Sequence, residues 1–139
     1  MAFRLSTDLK NVLVNTMITT MAGTYGTAGT ASLTIYTGTQ PASADSDGTG
    51  STIAVIENIG WSDDNPTTSG TAALADSYVG TSGEAGTAGW ARLECINDAG
   101  TCRIDGDVGT SIANVFRIND TVIDGTAAVT LLSANIYTV

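Results

Sequence analysis

Apolar and polar residues alternate along "WARLECINDAGTCRID", residues 90–105, and the alternation reads the same way from either end. Folding the stretch back about Asp98 and Ala99 sets Cys95 opposite Cys102, Arg92 opposite Asp105 and Glu94 opposite Arg103. Opposite charges facing each other across an antiparallel ladder stabilise it by a few tenths of a kcal/mol per pair, and a slipped register would bring like charges together. Ala91, Leu93, Cys95, Cys102 and Ile104 share the other face, the pattern of a sheet with one side on a core. Asn97 to Gly100 carries the turn signal. The stretch predicts a β-hairpin whose cysteines point inward and lie side by side.

The same reading extends over most of the chain. Short apolar runs at 31–37, 52–59, 71–79, 89–96, 101–105, 112–118 and 127–139 are separated by Gly/Thr/Ser/Ala segments such as "DSDGTGS", "GTSGEAGTAG" and "DGDVGT". Their Thr, Val, Ile and Tyr content favours strands, and a spacing of roughly ten residues per strand and turn is that of an antiparallel sandwich or barrel. "TQPASADSDGTG" contains Pro41 and reads as a loop. Residues 5–21 have a different period. Leu5, Leu9, Val12, Leu13, Met17 and Met21 make one helical stripe, with Ser6 or Thr7 as cap, Asp8 at the positive end and Gly23 as terminator. The expected organisation is an N-terminal helix or arm with a Gly/Thr linker over 1–30, then a mainly β domain over 31–139, built as an antiparallel, jelly-roll-like β-sandwich.

Composition narrows the chemistry. Five basic residues against 14 acidic ones leave a net charge of -9, which argues against nucleic acid and anionic membranes as partners. The N-terminus interrupts its apolar residues with Asp8, Lys10, Asn11 and Asn15, and so reads as neither signal peptide nor anchor. With no histidine and a single lysine, Lys10, the chain lacks Ser-His-Asp and Cys-His arrangements. Its carboxylates are scattered through turn segments, with too few aromatics for a sugar cleft. No catalytic residue and no cofactor are predicted.

The remaining motifs are more simply turns. In "DSDGTGSTIAVIE", Asp45, Asp47 and Gly50 occupy the first, third and sixth positions of a calcium loop, but the twelfth is Ile56 and Glu57 comes one residue late. "NDT" at 119–121 matches a glycosylation sequon, and "GTSGEAGTAG" lacks the lysine of a phosphate loop. Two cysteines and no histidine cannot make a tetrahedral zinc site, so no metal is expected. A crosslink between facing positions closes a short loop with some strain, which favours a buried, reduced Cys95–Cys102 pair over a disulfide while leaving both open.

The segments "FRLSTDLKNVLVNTM", "LTIYTGTQPASAD", "GWARLE" and "GDVGTSIANVFRINDTVIDGTAAVTLLSANIYTV" resemble, in content and order, the jelly-roll cement (decoration) proteins of short-tailed bacteriophages. The cysteine pair and "IANVFRIND" depart from that pattern. The resemblance implies a virion structural protein, assembled in the bacterial host cytoplasm. It would sit on the outer capsid surface as a homo-oligomer, a dimer ahead of a trimer, and bridge major capsid protein subunits of an HK97-like lattice. A phage tail or fibre subunit, or a receptor-binding one, is the alternative. Coat-contact residues do not carry over from the resemblance. Local chemistry nominates Leu5, Leu9, Leu13, Met17, Tyr36 and Trp61 as anchors, because aliphatic and aromatic anchors dominate interface energies.

Overall fold

The computed structural model describes residues 4–22, 31–61, 71–72, 74, 76–97 and 100–137. Helix α1 (Thr7–Ala22) is followed by β1 (Ala31–Tyr36), β2 (Thr52–Ile59), β3 (Thr71–Ala72), β4 (Tyr78–Ser82), β5 (Ala85–Thr87), β6 (Trp90–Asn97), β7 (Gly100–Gly109), β8 (Phe116–Ile118), β9 (Val122–Asp124), β10 (Ala128–Ala134) and β11 (Ile136–Tyr137). The chain is mainly β with one N-terminal helix. Its main sheet, however, is a closed barrel in the order β1-β2-β4-β10-β8-β7-β6, and the expected sandwich is not formed. The deciding contact is β6, which pairs with β7 on one side and with β1 on the other, so the sheet returns to its own start. Closure gives every strand of the barrel two neighbours, while the β6–β7 hairpin extends past the residues that β1 and β8 pair. Alternation along each strand is the same in a sandwich and a barrel, and only this long-range pairing separates them. Two further pairs, β3 with β11 and β5 with β9, lie outside the barrel.

Inward positions fill the barrel with side chains. Leu33 and Ile35 of β1, Ile53 and Ile56 of β2, Leu93 of β6, Phe116 and Ile118 of β8, and Leu131 of β10 are all buried in one cluster. Burial of each large aliphatic or aromatic side chain contributes about 1.5–3 kcal/mol against conformational entropy. The β1–β2 ladder shifts register twice, and Asn58, beside the first shift, takes φ 57, a left-handed value that asparagine tolerates.

Strands β6 and β7 pair as the expected hairpin predicts and extend it, and the turn residues 98–99 lie outside the described residues. The register pairs Cys95 with Cys102, Glu94 with Arg103, Arg92 with Asp105 and Trp90 with Asp107. β7 continues to Gly109, so "DGDVG" is strand where its glycines suggested a turn. β7 then runs parallel to β8 over Val108–Phe116 and Gly109–Arg117, although only residues 110–115 connect them. Parallel neighbours usually need a crossover of a dozen or more residues. Side chains hold this short connection: Asp107 accepts from Asn114 Nδ2 at 2.5 Å and from the Val115 amide at 3.1 Å. Asn135 Nδ2 donates to the carbonyls of Ile112 and Asn114, both at 2.9 Å. The predicted strand 112–118 therefore shrinks to 116–118, because its first half is spent on the reversal. Similarly, the predicted run 71–79 resolves into β3 and, after a bend at Asp76, β4, which incorporates "GTS".

Ser6 caps α1, its Oγ accepting from the Leu9 amide at 3.3 Å and its carbonyl from the Lys10 amide at 3.0 Å. The helix packs against β3, β6 and β11. Val14 and Met21 are buried in the barrel's own core cluster, with Met17 packed beside them. Of the stripe expected from the sequence, Met17 and Met21 face inward, whereas Leu9, Val12 and Leu13 are exposed and Val14 takes their place. Apolar residues lie nearly all round the helix, so contact with the strands selects Val14, Met17 and Met21, spaced i, i+3 and i+7, as the inner face. The Gly/Thr linker of residues 23–30 lies outside the described residues.

Candidate interface

Rotating α1 onto Val14 turns other aliphatic side chains outward. Leu9, Val12 and Leu13 are 45%, 58% and 40% exposed, and Thr16, one turn on from Val12, donates its hydroxyl back to the Val12 carbonyl at 2.9 Å. Leu5 is half-buried just before the helix, and Met17 is half-buried against the core. The six nominated anchors thus separate: Leu9 and Leu13 face solvent, Leu5 and Met17 are intermediate, and Tyr36 and Trp61 belong elsewhere.

Tyr36 stacks on Trp90, with ring centroids 4.4 Å apart and planes inclined by 9°. The Arg92 guanidinium lies 5.4 Å over the Trp90 ring, and Trp90 Nε1 donates to the Thr49 carbonyl at 3.1 Å. The loop between β1 and β2 closes over this stack, with Gly48 against the Tyr36 ring. Arg92 and Asp105 form a bidentate pair at 2.7 and 2.8 Å, with side chains only 5% and 3% exposed. The Asp105 hydrogen bond raises the Arg92 pKa above its ordinary value, against the opposing effect of burial. Tyr36 is consequently engaged within its own chain. Trp61 is buried in the core and bridges to Leu74.

Strands β4 and β10 contribute a second apolar surface that the sequence reading did not single out. Val79 faces Thr130 across the ladder, and Val79 and Leu132 are 64% and 40% exposed on the outer side. One signal was present: Leu131 and Leu132 are consecutive on a strand, so one of them must point away from the core. Ile112, 75% exposed, sits on the connection held by Asp107 and Asn135.

Charge is divided unevenly along the chain. Residues 1–30 carry Arg4 and Lys10 against the single acid Asp8, a net +1, while residues 31–139 carry three arginines against thirteen acids, a net -10. Two of those arginines, Arg92 and Arg103, are in ion pairs with Asp105 and Glu94. The outward apolar residues of α1 therefore lie on the one segment that does not share the acidity of the barrel.

Cys95 is buried and donates its S–H to the Thr20 carbonyl at 3.7 Å, whereas Cys102 is half-buried, and no disulfide joins them. Among the described residues no group of three or more Cys, Asp or Glu could hold a metal ion, and no helix is long and apolar enough to cross a membrane. Comparison with family models, with curated proteins and with solved structures returns no match.

Proposed function

We propose that this chain is an adhesive structural subunit of a phage virion, a capsid cement protein that bridges major capsid protein subunits from the outer surface. The observation that carries the reading is the outward face of α1, where three aliphatic side chains are presented on a rigid, capped element whose opposite face is anchored in the barrel core. Surface anchors on rigid elements lose little entropy on binding, which favours association. The sequence resemblance to cement proteins of short-tailed phages supports the same assignment, and the acidic barrel keeps free subunits apart before assembly.

Interface size sets a further requirement. A stable contact buries about 800 Å² on each partner, more than three side chains supply. Coat binding by a homo-oligomer, a dimer ahead of a trimer, multiplies the contact through avidity without new chemistry. Residence on the head follows from the resemblance to cement proteins, and a tail or fibre position is the alternative.

The test uses purified full-length chain with mature, expanded capsids and with unexpanded shells of a short-tailed phage that encodes it. Co-sedimentation with expanded capsids alone, abolished by Leu9→Asp with Val12→Asp in a variant that keeps its circular dichroism, is the expected result. Labelled chain found on tails in electron micrographs would replace the cement assignment with the tail one.

A further inference from the structure

We infer that Cys102 and Cys95 form a thiol–disulfide exchange site for low-molecular-weight disulfides such as oxidised glutathione, with Cys102 as the entry thiol and Cys95 as the resolving thiol. This goes beyond the proposed adhesive function and is independent of it. The two cysteines face each other in the β6–β7 ladder. Their surroundings differ: Cys95 is 1% exposed, while Cys102 is half-buried and opens onto a groove of about 240 Å³ between α1 and β7. Thr16, Met17, Thr20 and Met21 form the helix wall of that groove, and Arg103 and Ile104 continue its floor.

The ladder around the pair has room to close. Facing positions hold Cβ atoms about 4.5–5.5 Å apart, and a disulfide needs about 3.5–4.5 Å. Among the described residues, β1 pairs with β6 over Trp90–Glu94 and β8 pairs with β7 at Val108 and Gly109. Cys95 and Cys102 thus lie on the part of the hairpin where, among the described residues, no third strand of the barrel is paired to either. A crosslink with residual strain is the reversible kind, readily reduced again.

The chemistry balances in two exchanges. The Cys102 thiolate attacks one sulfur of the external disulfide, forming a mixed disulfide and releasing one thiol, which takes up the proton that Cys102 gave. The Cys95 thiolate then attacks the Cys102 sulfur, the protein disulfide forms, and the second thiol leaves with the proton of Cys95. Two cysteine thiols are oxidised and one external disulfide is reduced to two thiols. The Cys95 proton is the one now donated to the Thr20 carbonyl, so oxidation removes a donor from the last turn of α1. The site therefore couples redox state to the anchoring of the helix end.

Intact mass of the native full-length chain after incubation with oxidised glutathione is the measurement. The expected product has lost the mass of two hydrogen atoms, retains no glutathione and is restored by dithiothreitol. Amide hydrogen exchange in the last turn of α1 should be faster in that product than in the reduced chain. Cys95→Ser should stop at one glutathionyl group on Cys102, and Cys102→Ser should remain unmodified while folded yet react once unfolded in urea. A wild-type chain that stays fully reduced, or that retains a stable glutathionyl adduct, overturns the inference, and so does modification of folded Cys102→Ser at the wild-type rate.

Discussion

Replacing Asp105 with alanine leaves the Arg92 guanidinium without its carboxylate in a place that water does not reach. The wild-type pair is bidentate at 2.7 and 2.8 Å with side chains 5% and 3% exposed. At an effective dielectric of about 20, unit charges 4 Å apart attract by about 4 kcal/mol. Desolvation offsets much of that in the intact pair, but a single deletion keeps the desolvated charge and loses the attraction, a loss of about 3–5 kcal/mol. The low end of that range, about 3 kcal/mol, is the smallest loss expected. For a chain of this length, unfolding entropy near 0.3 kcal/mol/K converts that to a fall of about 10 °C in Tm. The double variant Arg92→Met/Asp105→Leu removes both charges and should recover to within about 1 kcal/mol of wild type, less whatever the Arg92 contact with Trp90 contributes. Because the Arg92 pKa is raised, its contribution is complete at any pH below the ordinary arginine range and is lost only as pH rises through the raised value. Urea titrations of wild type, Arg92→Met, Asp105→Leu and the double variant supply the cycle, with Asp105→Ala measured beside them. An Asp105→Ala variant within about 0.5 kcal/mol of wild type would refute the assignment of a shielded, coupled pair.

Three further outcomes follow from the packing. Val14→Ala should destabilise by about 2 kcal/mol, since a fully buried side chain is cut back, while Leu13→Ala should stay within about 0.5 kcal/mol; equal effects in urea unfolding would mean the helix is rotated otherwise. Gly48→Ala places a methyl 2.8 Å from the Tyr36 ring, which is held against Trp90, and a cost of about 1–3 kcal/mol with altered tryptophan fluorescence is expected; an unchanged urea midpoint counts against the stack. Asp124 accepts from the Thr126 and Ala127 amides and from the Thr126 hydroxyl, which together hold its pKa below the ordinary 3.8. Its contribution is present above that ordinary value and lost as pH falls through the lowered one, so the gap in urea midpoint between wild type and Asp124→Ala should close on acidification; a gap that persists at pH values below the lowered pKa removes the carboxylate from the explanation.

Local pattern was enough wherever the relevant partner lay nearby in sequence. The β6–β7 register was legible from alternation and charge sign because residues 90–107 pair with one another, and the ion pairs Arg92–Asp105 and Glu94–Arg103 were readable in the same way. The mainly β character was legible from short alternating runs of strand formers, and the N-terminal helix from its cap, Asp8 and the spacing of its apolar residues, in spite of β-branched residues such as Val12, Val14 and Thr16. The inner and outer faces of α1 were only partly legible: Leu9 and Leu13 are exposed, yet Val14 packs inward beside Met17 and Met21. A helix apolar on most sides has no preferred face until something packs against it.

What required the third dimension was everything decided by distant partners. Barrel against sandwich rests on β1 meeting β6, whose residues lie more than fifty positions apart. The strand character of "DGDVG" depends on pairing with β6, although glycine and aspartate by themselves favour turns. The short parallel connection at 110–115 depends on Asn135, contributed by a later strand region. That Tyr36 stacks on Trp90 is likewise set by β1 and β6 lying side by side. Sequence alone determined which residues could alternate, cap or pair with near neighbours, because those forces act over a few residues. Tertiary structure decided which apolar surface is spent inside and which is left outside, because burial is settled by the whole set of contacts at once.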